Sequence, residues 1–233
     1  GHLLAGLDPA GVPRGLKKTA IPFEFNKIEQ LEKIIEENDI GVIVLETMRH
    51  KKPKANFLQK VRRIADESGA VLIFDEITAG WREIVGGSHL MFDVSPDIAV
   101  FAKAMSNGYP MAAIIGNDKV MDAAQISFIS STYWTERIGP TAAIKTIRKM
   151  QKHDVPSHLK KIGKLIEKGW EKLSKKYRIN ISILPPYSLI TFHFNYDEKN
   201  LALTTLFTQE MLKRGFLAST SVYVCYAHTE DIV

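Results

Sequence analysis

Twice in the first eighty residues a helical stripe of apolar side chains runs into a continuous apolar stretch that ends on a carboxylate. Ile28, Leu31, Ile34 and Ile35 recur on one helical face ahead of Gly41-Val42-Ile43-Val44-Leu45, and Glu46 follows. Phe57, Leu58, Val61, Ile64 and Ala65 repeat the stripe, Gly69 ends it, and Ala70-Val71-Leu72-Ile73-Phe74 runs into Asp75-Glu76. Apolar runs of five without alternation read as strands covered on both faces, and strands joined by helices pair in parallel. The cycle therefore predicts α/β architecture around a mostly parallel sheet. Ile98-Ala99-Val100-Phe101 and Ala112-Ala113-Ile114-Ile115 add two short strands of open direction, with Gly108-Tyr109-Pro110 as the turn between them. A helix over about 140–151 follows.

Beyond Val155-Pro156 the composition changes. Leu159, Ile162, Ile166 and Leu173 recur at helical spacing, while Lys160, Lys164, Lys168, Lys172 and Lys176 step by four along another side. Between Lys145 and Arg178 twelve basic residues face three acidic ones, a local +9 in a chain of net charge +5, so the rest stands at −4. A basicity confined to one amphipathic helix reads as a solvated outer face. Nucleic acid is excluded as a partner, because the helix lacks the aromatic and Arg-rich groups that reach bases. Alternating strands at 179–184 and 190–194 and a helix from Leu201 to Arg214, stopped by Gly215, suit a smaller α+β unit. The expected division is a large domain over 1–150 and a small C-terminal domain over 151–233. No apolar run approaches the ~18 residues of a membrane span, so no membrane partner is expected. The lone Cys225 cannot form an internal disulfide, and no signal peptide is visible at Gly1-His2-Leu3-Leu4, which together point to the cytoplasm.

Open α/β sheets bind ligands beyond the carboxyl ends of their strands. In this sequence those ends carry Glu46, Asp75-Glu76 and, after Ala102, Lys103. A charge set against a buried sheet costs several kcal/mol unless compensated, and a bound ligand is one way to compensate it. Partial burial of Lys103 ahead of the turn Ser106-Asn107-Gly108-Tyr109-Pro110 would expose a neutral amine able to form a Schiff base. By position alone, a lysine snorkelling to solvent is the simpler reading. Asp75 on the neighbouring strand alters that balance, since a carboxylate there could keep a pyridinium nitrogen protonated. Taken alone, Asp75 also suits a helix N-cap or a salt bridge to Arg82. His50 and His228 belong to no obvious constellation and read as surface or structural residues.

The segment Leu72-Ile73-Phe74-Asp75-Glu76-Ile77-Thr78-Ala79-Gly80-Trp81-Arg82 resembles the Asp-Glu segment of class III pyridoxal-phosphate-dependent aminotransferases. Ser95-Pro96-Asp97-Ile98 and Ala102-Lys103-Ala104-Met105-Ser106-Asn107-Gly108-Tyr109-Pro110 are similar to the stretch carrying that family's cofactor lysine. Ser130-Ser131-Thr132-Tyr133-Trp134 with Gly139-Pro140-Thr141 resembles its threonine turn. Thr78-Ala79-Gly80-Trp81-Arg82 and Gly86-Gly87 look most like glutamate-1-semialdehyde 2,1-aminomutase and its relatives.

The resemblance implies fold type I, pyridoxal 5'-phosphate as cofactor, and Lys103 as both the Schiff-base lysine and the proton shuttle. It implies that Asp75 binds the pyridine nitrogen, that Ile77 packs on the ring as well as in the core, and that Ser131 and Thr132 reach the phosphate of a neighbouring subunit. A homodimer with shared active sites follows, acting on a small-molecule amino donor and a carbonyl acceptor. The family's N-terminal region and its last helix are missing from the layout, and Glu46-Thr47-Met48-Arg49 departs from the family's Glu-Pro, so Glu46 receives no role. The expected activity is aminomutase-like amino-group transfer. The alternatives are a conventional ω- or sugar-type aminotransferase, or a truncated chain serving only as an association scaffold.

Overall fold

The computed structural model describes residues 10–16, 18–130, 132–133 and 135–233. Helix α1 (Ile28–Glu37) leads into strand β1 (Val42–Glu46), and α2 (Phe57–Ser68) into β2 (Val71–Asp75). Helix α2 stops where Gly69 takes φ of 75°, a left-handed conformation that costs little without a Cβ. Strands β1, β2 and β3 (Ile98–Phe101) pair in parallel, and β4 (Ala113–Gly116) returns antiparallel along β3, in the order β1-β2-β3-β4.

Side chains alternate along each strand, so the sheet has two unlike faces. Ile43, Leu72 and Phe74 point into a core with Leu31 of α1 and Leu58, Val61 and Ile64 of α2. Val42 and Val44 point the other way and are 49% and 55% exposed, which corrects the expectation of strands covered on both faces. Glu46 and Asp75 share that second face, directly paired across β1 and β2. At the opposite end of the sheet, Asp97 accepts hydrogen bonds from Leu72 N (2.8 Å), Arg62 Nη1 (2.9 Å) and Asn117 Nδ2 (2.9 Å). Burial pushes this carboxyl up, but its donors pull it further down, below the usual carboxylate range.

After the short α3 (Asp118–Met121), α4 (Ile138–Lys152) packs Ala143 and Ile147 on Ala99 and Phe101 of β3. Helix α5 (Val155–Tyr177) then lies on a second sheet, antiparallel throughout, of β5 (Ile181–Leu184), β6 (Leu189–Phe194) and β7 (Ser221–Tyr223). Helix α6 (Asn200–Lys213) ends before Gly215, as the sequence predicts. Leu159, Ile162 and Ile166 bury against Ile190, and all five lysines of the other stripe are exposed. Leu173 departs from the expected stripe at 51% exposed. Strand β6 departs from alternation: Leu189, Ile190, Thr191 and Phe192 are all buried, since this central strand contacts both α5 and α6. Phe192 meets Trp170 of α5 and Phe207 of α6 edge to face, at 4.9 and 5.2 Å between ring centroids.

Helix α5 approaches the second sheet at Gly163, where an added Cβ would collide with the Tyr187 carbonyl. Gly169 on the same helix has open space around it. Gly163→Ala is expected to lower the unfolding free energy by about 1–3 kcal/mol through overpacking. Gly169→Ala should instead raise it by about 0.5–1 kcal/mol through helix propensity, both read from urea denaturation.

Candidate active site

The carboxyl ends of β1, β2 and β3 bring together Glu46, Asp75 and Lys103. Asp75 lies between the neighbouring strands, paired with Glu46 of β1 and Val100 of β3. Its Oδ1 accepts the N–H of Ile77 at 2.9 Å, which folds the chain into a turn directly after the strand. The Asx-type turn replaces the helix cap or Arg82 salt bridge that the sequence alone also allowed. Lys103 opens a single turn of 3-10 helix after β3, with φ of 50°, and its Nζ donates to Thr78 Oγ1 at 2.8 Å. Lys103 is exposed rather than partly buried. The following turn is as expected, with Asn107 and Gly108 at φ of 50° and 95° and Ser106 Oγ bonded to Tyr109 O.

Glu46 has unequal oxygens. Its Oε1 accepts from Arg49 Nη1 at 3.1 Å, whereas Oε2 is buried without a partner among the described residues. Burial above all, with the Asp75 carboxylate second among the raising causes, lifts this carboxyl above its ordinary range against the pull of Arg49 and Lys103. An orphaned, buried oxygen beside a second carboxylate marks the sheet end as built for a partner that carries positive charge or a proton.

Adjacent Asp75 and Glu76 have opposite environments. Glu76 points to the core face and is completely buried. It accepts four hydrogen bonds of 2.8–2.9 Å, from Ser88 N and Oγ to Oε2 and from His89 N and Nδ1 to Oε1. Thr47 Oγ1 adds a longer one at 3.4 Å and also touches Ser88 Oγ. Burial opposes ionisation, but these donors prevail and hold the carboxyl below its usual range. Spacing did not signal this clasp, because its donors lie twelve and thirteen residues downstream of the strand. Nothing in the pattern of the Asp-Glu segment marks Thr78 either.

Ile77 is half-buried in the turn beside Asp75. Thr132 lies in an exposed turn, with no hydrogen bond to Asp75 or Lys103, and Ser131 falls outside the described residues. His228 is structural: its Nδ1 accepts from Cys225 N, and its carbonyl meets His158 Nε2. His50 lines a cavity of about 480 Å³ together with Glu46 and Arg49. No cluster of three or more potential metal ligands occurs among the described residues, and no described helix is long and apolar enough to cross a membrane.

The family model "Aminotransferase class-III" matches residues 14–220. The chain belongs to the class III aminotransferases. It is 33% identical over 238 residues to the 3-aminobutyryl-CoA aminotransferase of Cloacimonas acidaminovorans (strain Evry), covering 95% of this chain and 56% of that protein. It is 29% identical over 247 residues to a glutamate-1-semialdehyde 2,1-aminomutase of Ignicoccus hospitalis, covering 96% and 58%. The structure of an omega-transaminase from Sphaerobacter thermophilus matches 91% of this chain and 53% of its own, with a TM-score of 0.80 at 20% identity. The fold is thus fold type I, and this class III chain spans less than three fifths of the length of these relatives.

The Glu76 clasp carries a pH dependence of known sign. A carboxyl held below its ordinary 4.5 contributes stability that is full above about pH 4.5 and is lost as pH falls through the lowered value. Glu76→Gln should cost about 2–4 kcal/mol at pH 7, since its amide faces donors with a donor of its own. The variant should also show a flatter fall in stability between pH 5 and 3, measured by urea unfolding across that range.

Proposed function

We propose that this chain carries the cofactor face of a pyridoxal 5'-phosphate-dependent enzyme that transfers an amino group in the manner of glutamate-1-semialdehyde 2,1-aminomutase. The observation that carries the reading is the meeting of one primary amine and two carboxylates at adjacent strand ends, with the amine aimed by Thr78. These groups suit the cofactor: an amine for its aldehyde, an anionic oxygen for its ring nitrogen, and a buried oxygen on Glu46 that lacks a partner among the described residues. When bound, the cofactor supplies a ring that accepts the electron pair left on the substrate carbon after proton loss.

Lys103 would hold the cofactor through Nζ and, once displaced by the substrate amine, carry the proton between the substrate carbon and the cofactor. The Thr78 hydroxyl keeps that nitrogen over the sheet end. Asp75 would hold the proton on the pyridine nitrogen, and its place in a turn fastened to Ile77 N limits its rotation. Ile77 would pack on the ring. Ser131 and Thr132 would reach the phosphate of a neighbouring subunit in a homodimer, a reading that the exposure of Thr132 supports. The change of packing partners near His153 supports a division at about residue 150, and the lone Cys225 supports a cytoplasmic setting. Similarity to the 3-aminobutyryl-CoA enzyme favours a second reading, transfer between separate donor and acceptor molecules.

Incubation with pyridoxal 5'-phosphate followed by borohydride should leave a pyridoxyl group on Lys103, located by peptide mass mapping. Lys103→Ala should lose it, and a wild-type chain without adduct would leave only the scaffold reading. Asp75→Asn should retain the adduct but slow turnover by about 100-fold or more. With ¹⁵N-labelled substrate, retention of label without a second carbonyl compound identifies the mutase reaction, and a requirement for one identifies the transaminase.

A further inference from the structure

We propose that the cavity beside Lys103 seats a compact oxyanion of the substrate, a carboxylate or phosphate, with Arg82 as its anchor; the assignment to substrate rests on the amino-transfer reading. The cavity, about 830 Å³, lies between the segment after β3, helices α4 and α5, and the chain after β7. Among the described residues its walls carry three cations, Arg82, Lys103 and Lys149, and no carboxylate. Asp75, Glu46 and Thr78 are not among its walls, so it meets the strand-end cluster only at Lys103.

Arg82 is the telling group. Burial disfavours its charged form, and no carboxylate stands within ion-pair distance among the described residues. Its Nε donates to Thr78 O at 2.8 Å, and its guanidinium lies 5.2 Å from the centroid of the Tyr223 ring. These contacts fix the guanidinium and leave Nη1 and Nη2 without a hydrogen-bond partner among the described residues. The adjoining wall is Trp81, whose Nε1 is a buried donor without a partner among the described residues. A half-buried guanidinium without a counter-ion favours an anion in the cavity, and its planar shape matches a carboxylate or phosphate.

Distance narrows the ligand further. Thr78 accepts Arg82 Nε on its carbonyl and Lys103 Nζ on its hydroxyl. Two hydrogen bonds to one residue keep those nitrogens within about 10 Å of each other. A substrate whose oxyanion stands a few bonds from its amine or carbonyl spans that gap.

Isothermal titration of the cofactor-free chain with glutarate, inorganic phosphate and neutral glutaramide tests the inference. Saturable binding of an oxyanion but not of glutaramide is expected, about tenfold or more weaker in Arg82→Gln and only partly restored in Arg82→Lys, which keeps the charge without the planar fork. Trp81→Phe, which removes only the Nε1 donor from the wall, should weaken it less. Preference for glutarate assigns a carboxylate, and preference for phosphate a phosphate. No saturable binding, or wild-type affinity in Arg82→Gln, overturns the proposal. Should Arg82→Gln fail to fold by circular dichroism, wild-type affinity in both Arg82→Lys and Trp81→Phe overturns it. The borohydride-reduced protein should still bind the oxyanion; loss of binding there would assign the cavity to the cofactor and overturn it too. An adduct on Lys103 without oxyanion binding defeats the anchor alone. Oxyanion binding without an adduct defeats the amino-transfer reading, and with it the assignment to substrate.

Discussion

A carboxylate sealed from water, Glu76, holds the sheet end where Glu46, Asp75 and Lys103 gather. Its two oxygens take four short hydrogen bonds from Ser88 and His89, and so tie the end of β2 to a segment twelve residues later in the chain. A buried charge is tolerable only when it is surrounded in this way, and the arrangement then resists displacement of any one donor. The loop from Gly80 to Gly87 is thereby closed at both ends, with Trp81 N donating to Gly86 O at 2.8 Å. Thr78 and Arg82 both lie between Glu76 and its donors in sequence, so the grip on Glu76 also fixes the residue that aims Lys103.

The alternation of a strand explains why two adjacent carboxylates serve different ends. Glu76 follows Phe74 into the core, where its donors wait. Asp75 goes with Val42, Val44 and Glu46 to the less covered face, where it faces another carboxylate and takes a single donor, the Ile77 N–H. A single-residue slip of β2 would exchange the two. Parallel pairing of β1 with β2 and of β2 with β3 removes that freedom, because Leu72 and Phe74 would then leave the core formed with α1 and α2.

The fold was legible where a period or a breaker speaks locally: the two helix-strand cycles, the stop at Gly69, the turn at Asn107-Gly108 and the basic stripe of α5. The strand-end rule found Glu46, Asp75 and Lys103 without any knowledge of packing. Coverage was not legible. The valines of β1 read as doubly buried and are half-exposed, and β6 reads as alternating yet is buried along four residues, because burial depends on what neighbouring helices reach. The Glu76 clasp and the Thr78 bridge were hidden for another reason: hydrogen bonds across loops carry no periodicity, and Ser, Thr and His are common enough that spacing alone selects none of them.

Strained backbone accompanies this cluster, and apolar anchors hold it. Trp81, Lys103 and Asn107 all take positive φ, which side chains other than glycine adopt at a cost. Trp81 can persist there because its ring packs on Phe101, 5.8 Å between centroids, and against both cores that flank the cavity. Lys103 can persist because Met105, two residues on, is buried with Phe101 and Ala143. To relax either φ, the chain would have to withdraw an apolar side chain from a packed core. The polar residues beside them, Arg82 and Lys103 itself, are therefore held by neighbours that carry no charge, and neither makes an ion pair among the described residues.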